Sequence, residues 1–443
     1  MKKIILLLSG LLLGLTTTSC DSFLDIEPKG KIIPKTTEDY RKLMTTAYFN
    51  YPQHKSRSNF RTDEVHITTT ASESMAFLSI KDIYSYQDVN PSKQTKSFGY
   101  GQFYKSIFYT NDLINNGVNT MQVGDEKEQL LGEAYGLRAL AYFDLVNLYA
   151  KPYDKSTAST ELAIVLHIEH EIEQRKHKST MAEVYVQIHS DIDNAKKHLR
   201  VTTYEVGQNY RFTKAAIYAL EAKVNLYQKE YEAALVSVDQ ALRYKSELQD
   251  LNKKTDISVA SFKSVESILA LEETLENDLK ETALLSDELY NTYDRVNDLR
   301  FNASFELAKG SYISKKTGTG EMKASFRTSE LYMIKAEALG HLNRLAEAKS
   351  TIEKLIVSRY KPEAAAKVLQ KLSGLDQKGF ITFILDERNK EFAFEGHRWF
   401  DLRRLNQKQI VHKFGNDTFT LAENDLRYTL PFPKDARENN PNL

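Results

Sequence analysis

The densest chemistry in the sequence lies between Asp386 and Asn406, DERNKEFAFEGHRWFDLRRLN. Five carboxylates (Asp386, Glu387, Glu391, Glu395, Asp401) are interleaved with four arginines (Arg388, Arg398, Arg403, Arg404). Phe392, Phe394, Phe400 and the single tryptophan, Trp399, fill the gaps. Two carboxylates about 5 to 9 Å apart across a cleft would be a glycosidase acid and base. The alternative is an ion-paired structural latch. Glu387, Glu391 and Glu395 fall at i, i+4 and i+8 and share one helical stripe, where like charges cost about a few tenths of a kcal/mol per pair unless cations face them. Arg398, Arg403 and Arg404 follow Gly396, which the spacing predicts as the helix end. Their planar forks suit bidentate pairing with carboxylates. A glycosidase acid needs a raised pKa, and crowded arginines depress it. The residue types therefore favour a latch of Glu387, Arg388, Glu391, Glu395, Arg398, Trp399, Asp401 and Arg403.

His167-Ile168-Glu169-His170-Glu171 has the composition of a metal cluster but not its spacing. On an extended segment His167 and His170 point to opposite faces, and the H-E-x-x-H pattern is absent. Neither a Gly-rich phosphate loop nor a G-x-S-x-G elbow is present. No catalytic residue, metal site or cofactor is expected.

A second set of candidates is aromatic. Tyr84, Tyr86, Phe98 and Tyr100 lie in one Ser/Thr/Asn-rich segment, and Tyr290, Tyr293 and Tyr312 in another. Such rings can stack on a sugar or peptide. Asn291, Arg295 and Asn297 stand among the second group as hydrogen-bond donors. Each ring can equally anchor its loop on the scaffold.

These candidates need elements to position them. The chain has 443 residues, 41% hydrophobic and 27% charged, with only 18 Gly and 9 Pro. That composition predicts helices joined by short loops rather than a β-sandwich. Lys+Arg and Asp+Glu both number 60, so no field of one sign favours nucleic acid. Lys2 and Lys3 precede a 12-residue apolar run, Ile4 to Leu15, too short to span a bilayer core. It reads as an export signal over residues 1–19. The lone cysteine, Cys20, directly follows and reads as a lipid-attachment site, with several acyl chains giving stable anchoring. Residues 20–35 read as anchor and acidic tether, and residues 36–443 as one domain.

Within that domain, Thr36 and Asp39 have capping-box spacing and open a helix to about Phe49. Residues 51–100 show no sustained helical period and read as a long, functional loop region. Helices are expected from Gln102 to about Met121, from Glu126 to Tyr149 with Ala134, Leu137, Ala141, Leu145 and Leu148 as its buried face, and from the Thr180 capping box to about Leu199. Leu162 to Ile168 reads as extended. After Thr213, Tyr218, Ala222, Tyr231, Ala234, Val238 and Ala241 fall at the offsets of a tetratricopeptide helix pair. The same offsets recur at Tyr332, Ala336, Leu345, Ala348, Ile352 and Leu355. Residues 250–325 break the pattern again. A helix is predicted from Phe380 to about Glu395, and the tail reads as irregular.

With these residues in view, the chain resembles the SusD/RagB family of outer-membrane nutrient-binding lipoproteins of Bacteroidetes. The resemblance rests on GEAYGLRALAYFDLVNLYA (132–150), STMAEVYVQIHSDIDNAKKHL (179–199), FRTSELYMIKAEAL (326–339), residues 386–406 and LPFPKDARENNPNL (430–443). It implies a mostly α fold, a tetratricopeptide-like helix-pair scaffold cradling an irregular, loop-rich ligand-binding half. It implies no catalysis, an oligosaccharide or sometimes a peptide ligand, and a SusC-like TonB-dependent outer-membrane porter as partner. It also implies lipid anchoring at the cell surface. The family's glycan-contacting rings are often tryptophans in the variable loops, whereas this chain's only tryptophan lies in the scaffold motif. The rival readings are a tetratricopeptide scaffold for a protein or peptide and a surface glycosidase.

Overall fold

The computed structural model describes residues 34–72, 74–169, 176–317 and 320–443. The export signal, Cys20 and most of the tether lie outside the described residues, as do His170 and Glu171 of the His/Glu cluster. Residues from Thr36 onward form one compact unit.

The first helix, α1 (Thr37–Phe49), starts at a full capping box: Thr36 accepts from the Asp39 amide and the Asp39 carboxylate accepts in return. Residues 51–100, expected as loop, contain two helices, α2 (His54–Ser58) and α3 (Met75–Tyr84). Both are too short to build an apolar period, and this is why the sequence pattern misses them. Then come α4 (Tyr100–Asp112), α5 (Asp125–Tyr149) and α6 (Met181–His198), the last opened by the Thr180–Glu183 capping box. A one-faced burial was expected for α5. Instead it is buried on nearly every side beyond its first turn, because α1, α4 and α6 all pack on it. Leu162–Ile168 forms no strand; Leu162 makes one isolated bridge to Thr180.

The helix pairs α7 (Lys214–Tyr227) with α8 (Tyr231–Tyr244) and α9 (Thr328–His341) with α10 (Leu345–Arg359) carry the repeated offsets. Ala222, Ala234, Val238 and Ala241 are fully buried, and so are their counterparts Ala336, Ala348, Ile352 and Leu355. Small residues let each pair approach closely, and α8 packs on α9 to join the pairs. The connecting turns match as well, with Lys229 and Asn343 each at positive φ two residues past the helix end. Helix α11 (Pro362–Ser373), with proline in its first turn, was not expected from the sequence and packs on α10, whereas α12 (Gln377–Glu391), expected from Phe380, is capped by Asp376 and packs on α9. The tail also contains a short helix, Lys434–Asn439.

The two irregular segments are joined. Strand β1 (Val65–His66) comes from the first segment, and β3 (Leu284–Leu285), β4 (Phe305–Ala308) and β5 (Ser311–Ser314) from the second. They make one antiparallel sheet in the order β1-β3-β5-β4. Across the same seam, Arg57 grips Glu276 at 3.1 and 3.2 Å, and the Asn59 amide donates to the Thr274 carbonyl at 3.0 Å. β2 (Ser267–Leu269) pairs with β6 (Phe326–Arg327) at the foot of α9. A C-terminal hairpin, β7 (Ile410–Phe414) and β8 (Asp417–Leu421), lies over the first segment, as its His412 shows below.

Helix α12 ends at Glu391, four residues before the expected stop, and the chain turns through Phe394 (φ 59°) and Gly396 (φ 74°) before α13 (Arg398–Leu405). At Gly396 a Cβ would lie 2.5 Å from the Lys55 Cβ and 2.6 Å from the Lys55 carbonyl oxygen. The Gly396 amide donates to Asn59 at 2.9 Å, which seats the turn on α2. Gly396→Ala combines this clash with a left-handed backbone. It is expected to lower unfolding free energy by roughly 1–3 kcal/mol in urea denaturation. An unchanged midpoint would mean that the turn relaxes away from α2.

Candidate functional site

The sequence nominated ten loop residues for ligand contact. The fold sends them to three places. Tyr84 and Tyr86 go inward. His412 of β7 stacks on both rings, at 4.1 and 5.1 Å. The hydroxyls donate to the carbonyls of Lys413 and Arg61. Burial pushes the Tyr84 phenol up to about 12. Both rings are anchors beneath the hairpin, and a ligand cannot reach their faces; this corrects the expectation for these two residues. Phe98 and Tyr100 meet the C-terminal segment, where Tyr100 packs against Tyr104, Tyr149 and Phe432. Phe98 and Tyr149 border an open cleft of about 760 Å³.

The remaining residues gather on the joined sheet. Tyr290 ends a short helix, Asp287–Tyr290, whose Ser286 cap reaches across to the first segment: its amide donates to the Glu64 carbonyl and its hydroxyl to the Asp63 carbonyl. The Tyr312 ring, on β5, lies 5.5 Å from the Tyr290 ring at 33°. The Arg295 guanidinium covers Tyr290 at 4.1 Å and makes no ion pair among the described residues. Asn291 and Arg295 are exposed, Tyr290 and Tyr312 half-buried. Beneath them Phe301 contacts both tyrosine rings and packs on Phe305 and Tyr293. Tyr293 is buried with its hydroxyl spent on the Lys390 carbonyl at 2.7 Å. It is the floor of the patch, so its nomination as a contact is corrected. Asn297 spends its amide on Asp294. The solvent-facing face is thus an aromatic pair with a cation lying on it, set on a rigid apolar base.

The floor rests on the charged stretch that drew first notice. Its carboxylates were expected to pair with arginines of the same segment. Most partners come from elsewhere. Glu391 is held by Arg327 at 2.6 Å and by Arg359 at 2.9 Å. Glu395, past the helix rather than on its stripe, takes Arg327 at 2.9 Å and Lys316 at 2.6 Å. Glu387 takes Arg300 at 2.7 Å and also Lys390. Glu266 closes the lattice by pairing with both Arg327 and Arg359. Arg398 makes a two-pronged contact with Asp63 in the first irregular segment. Within the stretch, Lys390 pairs with Glu387, and Arg388 and Arg404 pair with Asp401, with Glu337 joining the last group. Among the described residues Arg403 pairs with no carboxylate, and it donates to the carbonyls of Tyr428, Asn147 and Ala150. Trp399 is fully buried, stacked on Tyr428 with Arg61 over its ring. The scattered partners Arg300, Lys316, Arg327 and Arg359 carried no sequence signal beyond being cations.

Burial alone would raise these carboxyls. Arg300 and Lys390 nevertheless hold Glu387 down at about 2, and Arg359 and Arg327 hold Glu391 far below the usual range. Neither can act as a general acid near neutral pH. Glu64, pushed up to about 8 by burial and by Asp63, is fully buried behind the patch and reaches no solvent.

One buried cluster could be considered for a metal: His54, Asp144 and Glu272. Its carboxylates face opposite edges of the imidazole, Asp144 at 3.6 Å from Nε2 and Glu272 at 3.2 Å from Nδ1. The Lys55 ammonium already sits 2.7 Å from Glu272. Those contacts tie α2, α5 and the second irregular segment together, with the Lys55 ammonium already occupying Glu272.

Comparison with known proteins places this arrangement among relatives. A family described as "Starch-binding associating with outer membrane" matches residues 22–226, and one described as "SusD family" matches residues 272–443. A SusD-like protein of Formosa agariphila is 24% identical over 88% of this chain and 88% of its own length. A SusD superfamily protein from Bacteroides fragilis superposes with a TM-score of 0.77 at 20% identity, covering 93% of this chain and all of that one. A structure named "Laminarin binding SusD-like protein" gives 0.61 at 20% identity, covering 84% of this chain and 92% of its own.

Glu387 is ionised in the fold down to about pH 2, whereas its ordinary value is 4.5. Its pairing therefore stabilises the protein fully above pH 4.5 and is lost as pH falls toward 2. Glu387→Gln is expected to lower stability at pH 7 by about 3 kcal/mol, since it leaves Arg300 and Lys390 less well paired. It should also flatten the acid-side loss between about pH 4.5 and 2. Melting temperature against pH for both proteins checks this, and parallel curves would remove Glu387 from the network.

Proposed function

Because the chain belongs to the SusD/RagB family, we propose that it is a non-catalytic binding protein of the outer membrane that captures an oligosaccharide. It hands that ligand to a SusC-like TonB-dependent porter over which it acts as a lid. Lipid attached to Cys20 holds it at the cell surface. The observation that carries the binding reading is the Tyr290–Tyr312–Arg295 patch. Two half-buried rings meet there, a cation without an ion-pair partner among the described residues lies over the Tyr290 ring, and the exposed Asn291 stands beside them. A pyranose has the complementary form, an apolar face ringed by hydroxyls. The printed descriptions of the relatives, one family "Starch-binding" and one neighbour "Laminarin binding", support a glycan over other polymers. The pinned, low-pKa carboxylates of the charged stretch support binding without turnover.

Affinity electrophoresis against laminarin, starch, xylan and other soluble polysaccharides tests the reading. Wild-type protein is expected to be retarded by at least one of them. Tyr290→Ala should weaken that binding roughly three- to tenfold, and Arg295→Ala should weaken it as well, with no change in melting temperature. Retardation by none, or release of new reducing ends from any, would overturn it. Co-purification with a large β-barrel from detergent-solubilised outer membrane tests the porter.

Cys20→Ala is expected to move the protein from the membrane fraction to the soluble fraction with its melting temperature unchanged. Continued membrane association would refute the lipid anchor.

A further inference from the structure

Helix α1 ends in a phenylalanine that the fold does not bury: Phe49 is 72% exposed. Its ring leans on Tyr210, with centroids 5.8 Å apart at 31°. Beside this pair opens a pocket of about 190 Å³ that Phe262, Asn209, Gln53 and Lys323 also line. The walls come from three parts of the chain: the end of α1, the loop before α7, and the second irregular segment. The pocket shares no lining residue with the Tyr290–Tyr312 patch.

The walls are fixed before any ligand arrives. The Asn209 amide donates to the Phe262 carbonyl and the Ser267 hydroxyl, both at 2.8 Å. The Gln53 side-chain carbonyl accepts from the Glu273 amide at 2.6 Å. Arg211 donates to the Tyr210 hydroxyl at 3.1 Å and lies over that ring at 5.3 Å, holding it in place. Lys323 makes no ion pair among the described residues. A lone exposed phenylalanine would need no explanation. One backed by a second ring, next to a braced pocket with an ammonium at its rim, has the makings of a site.

Size and polarity narrow the ligand. Pockets for drug-sized molecules run from about 300 to 1,000 Å³. This one is smaller and takes a single ring. Its lining combines the rings of Phe49, Tyr210 and Phe262 with the polar side chains of Gln53, Asn209 and Lys323. We propose that this pocket is a one-sugar subsite, where a pyranose stacks on Phe49 and turns its hydroxyls toward Lys323. The proposal rests on the glycan reading and adds a second contact to it, suited to a chain end or a branch.

Saturation-transfer NMR with glucose, galactose, mannose and xylose, one at a time, tests it on the whole folded protein. At least one sugar is expected to show transfer with the wild type and with Tyr290→Ala. Transfer should be lost in Phe49→Ala, weakened in Lys323→Met and kept in Phe49→Trp. Phe49 is exposed, so its replacement leaves folding intact, and a thermal melt verifies this. For the polysaccharide bound best by wild type, Phe49→Ala should raise Kd roughly three- to tenfold. Transfer from none of the four sugars, or transfer unchanged by Phe49→Ala, overturns the subsite. So does saturation of the peptide Gly-Phe-Gly in place of every sugar, which would assign the pocket to a polypeptide. Polysaccharide retardation of the wild type, measured alongside, separates failure of the subsite from failure of the glycan reading.

Discussion

Everything in this molecule hangs on a lattice of charges with no access to water. Arg327, Arg359, Glu266, Glu391, Glu395 and Lys316 are all buried. A single such charge would cost several kcal/mol to desolvate if it stood alone. The cost is met because no member stands alone: each carboxylate has at least two cationic partners, and Arg327 alone touches three carboxylates. Arginine suits this role because its fork reaches several oxygens in one plane. The sequence distance of the partners matters more than their number. Glu266 precedes β2, Lys316 follows β5, Arg359 ends α10, and Glu391 ends α12. The lattice is therefore where the helix pairs and the irregular half become one body.

That placement explains why the irregular half can be so poor in regular structure and still hold a site. Its strands are two to four residues long, too short to be stable alone. They are fixed from below. Lys316 anchors the end of β5 to Glu395 and to the carbonyls of Glu391 and Ala393. Phe305 of β4 packs edge-on against Phe394 in the turn after α12. Tyr293 bonds to the Lys390 carbonyl. The outward pair Tyr290 and Tyr312 thus sits one layer of aromatics above the charge lattice. A ligand-facing surface gains from such support, because rings held in place lose little entropy on binding.

How far the sequence could foretell this depends on the range of each interaction. Capping boxes at Thr36 and Thr180 and the repeated Tyr/Ala offsets of α7–α10 are local, and they were legible. Helix α11 carried a first-turn proline but fell outside the repeated offsets, and it was not legible. The aromatic patch was legible in part. Tyr290, Arg295 and Tyr312 stood out by composition, but so did Tyr84 and Tyr86, and nothing local separates a ring facing solvent from one beneath a hairpin that arrives much later in the chain. His412 makes that difference, and its partner could not be read from its own neighbours. The charge stretch failed in the same way. Its carboxylates invited pairing with the nearest arginines, yet the winning partners Arg300, Lys316, Arg327 and Arg359 come from four other places in the chain, because a packed interior is matched in space rather than in sequence.

The same reasoning separates residues that specify the fold from residues free to bind. Among the aromatic and cationic side chains of the irregular half, those with partners are many: Arg57 on Glu276, Arg61 on Asp88, Lys96 on Glu276 and Asp278, Arg300 on Glu387 and Asp298. Arg295 and Lys323 have no such ion pair among the described residues, and each stands beside aromatic rings that reach solvent. Arg295 has no counter-charge beside it among the described residues and Lys323 has only the nearby Glu273; surface charges of this kind contribute little to stability. Placing such a cation against a flat apolar face is chemically specific all the same. It offers hydrogen bonds around a hydrophobic plane, which is the pattern a sugar ring presents in reverse. At Tyr290 the Arg295 guanidinium makes that arrangement on a ring set directly above the buried aromatics that hold it, so the contact a ligand would meet is fixed before it arrives.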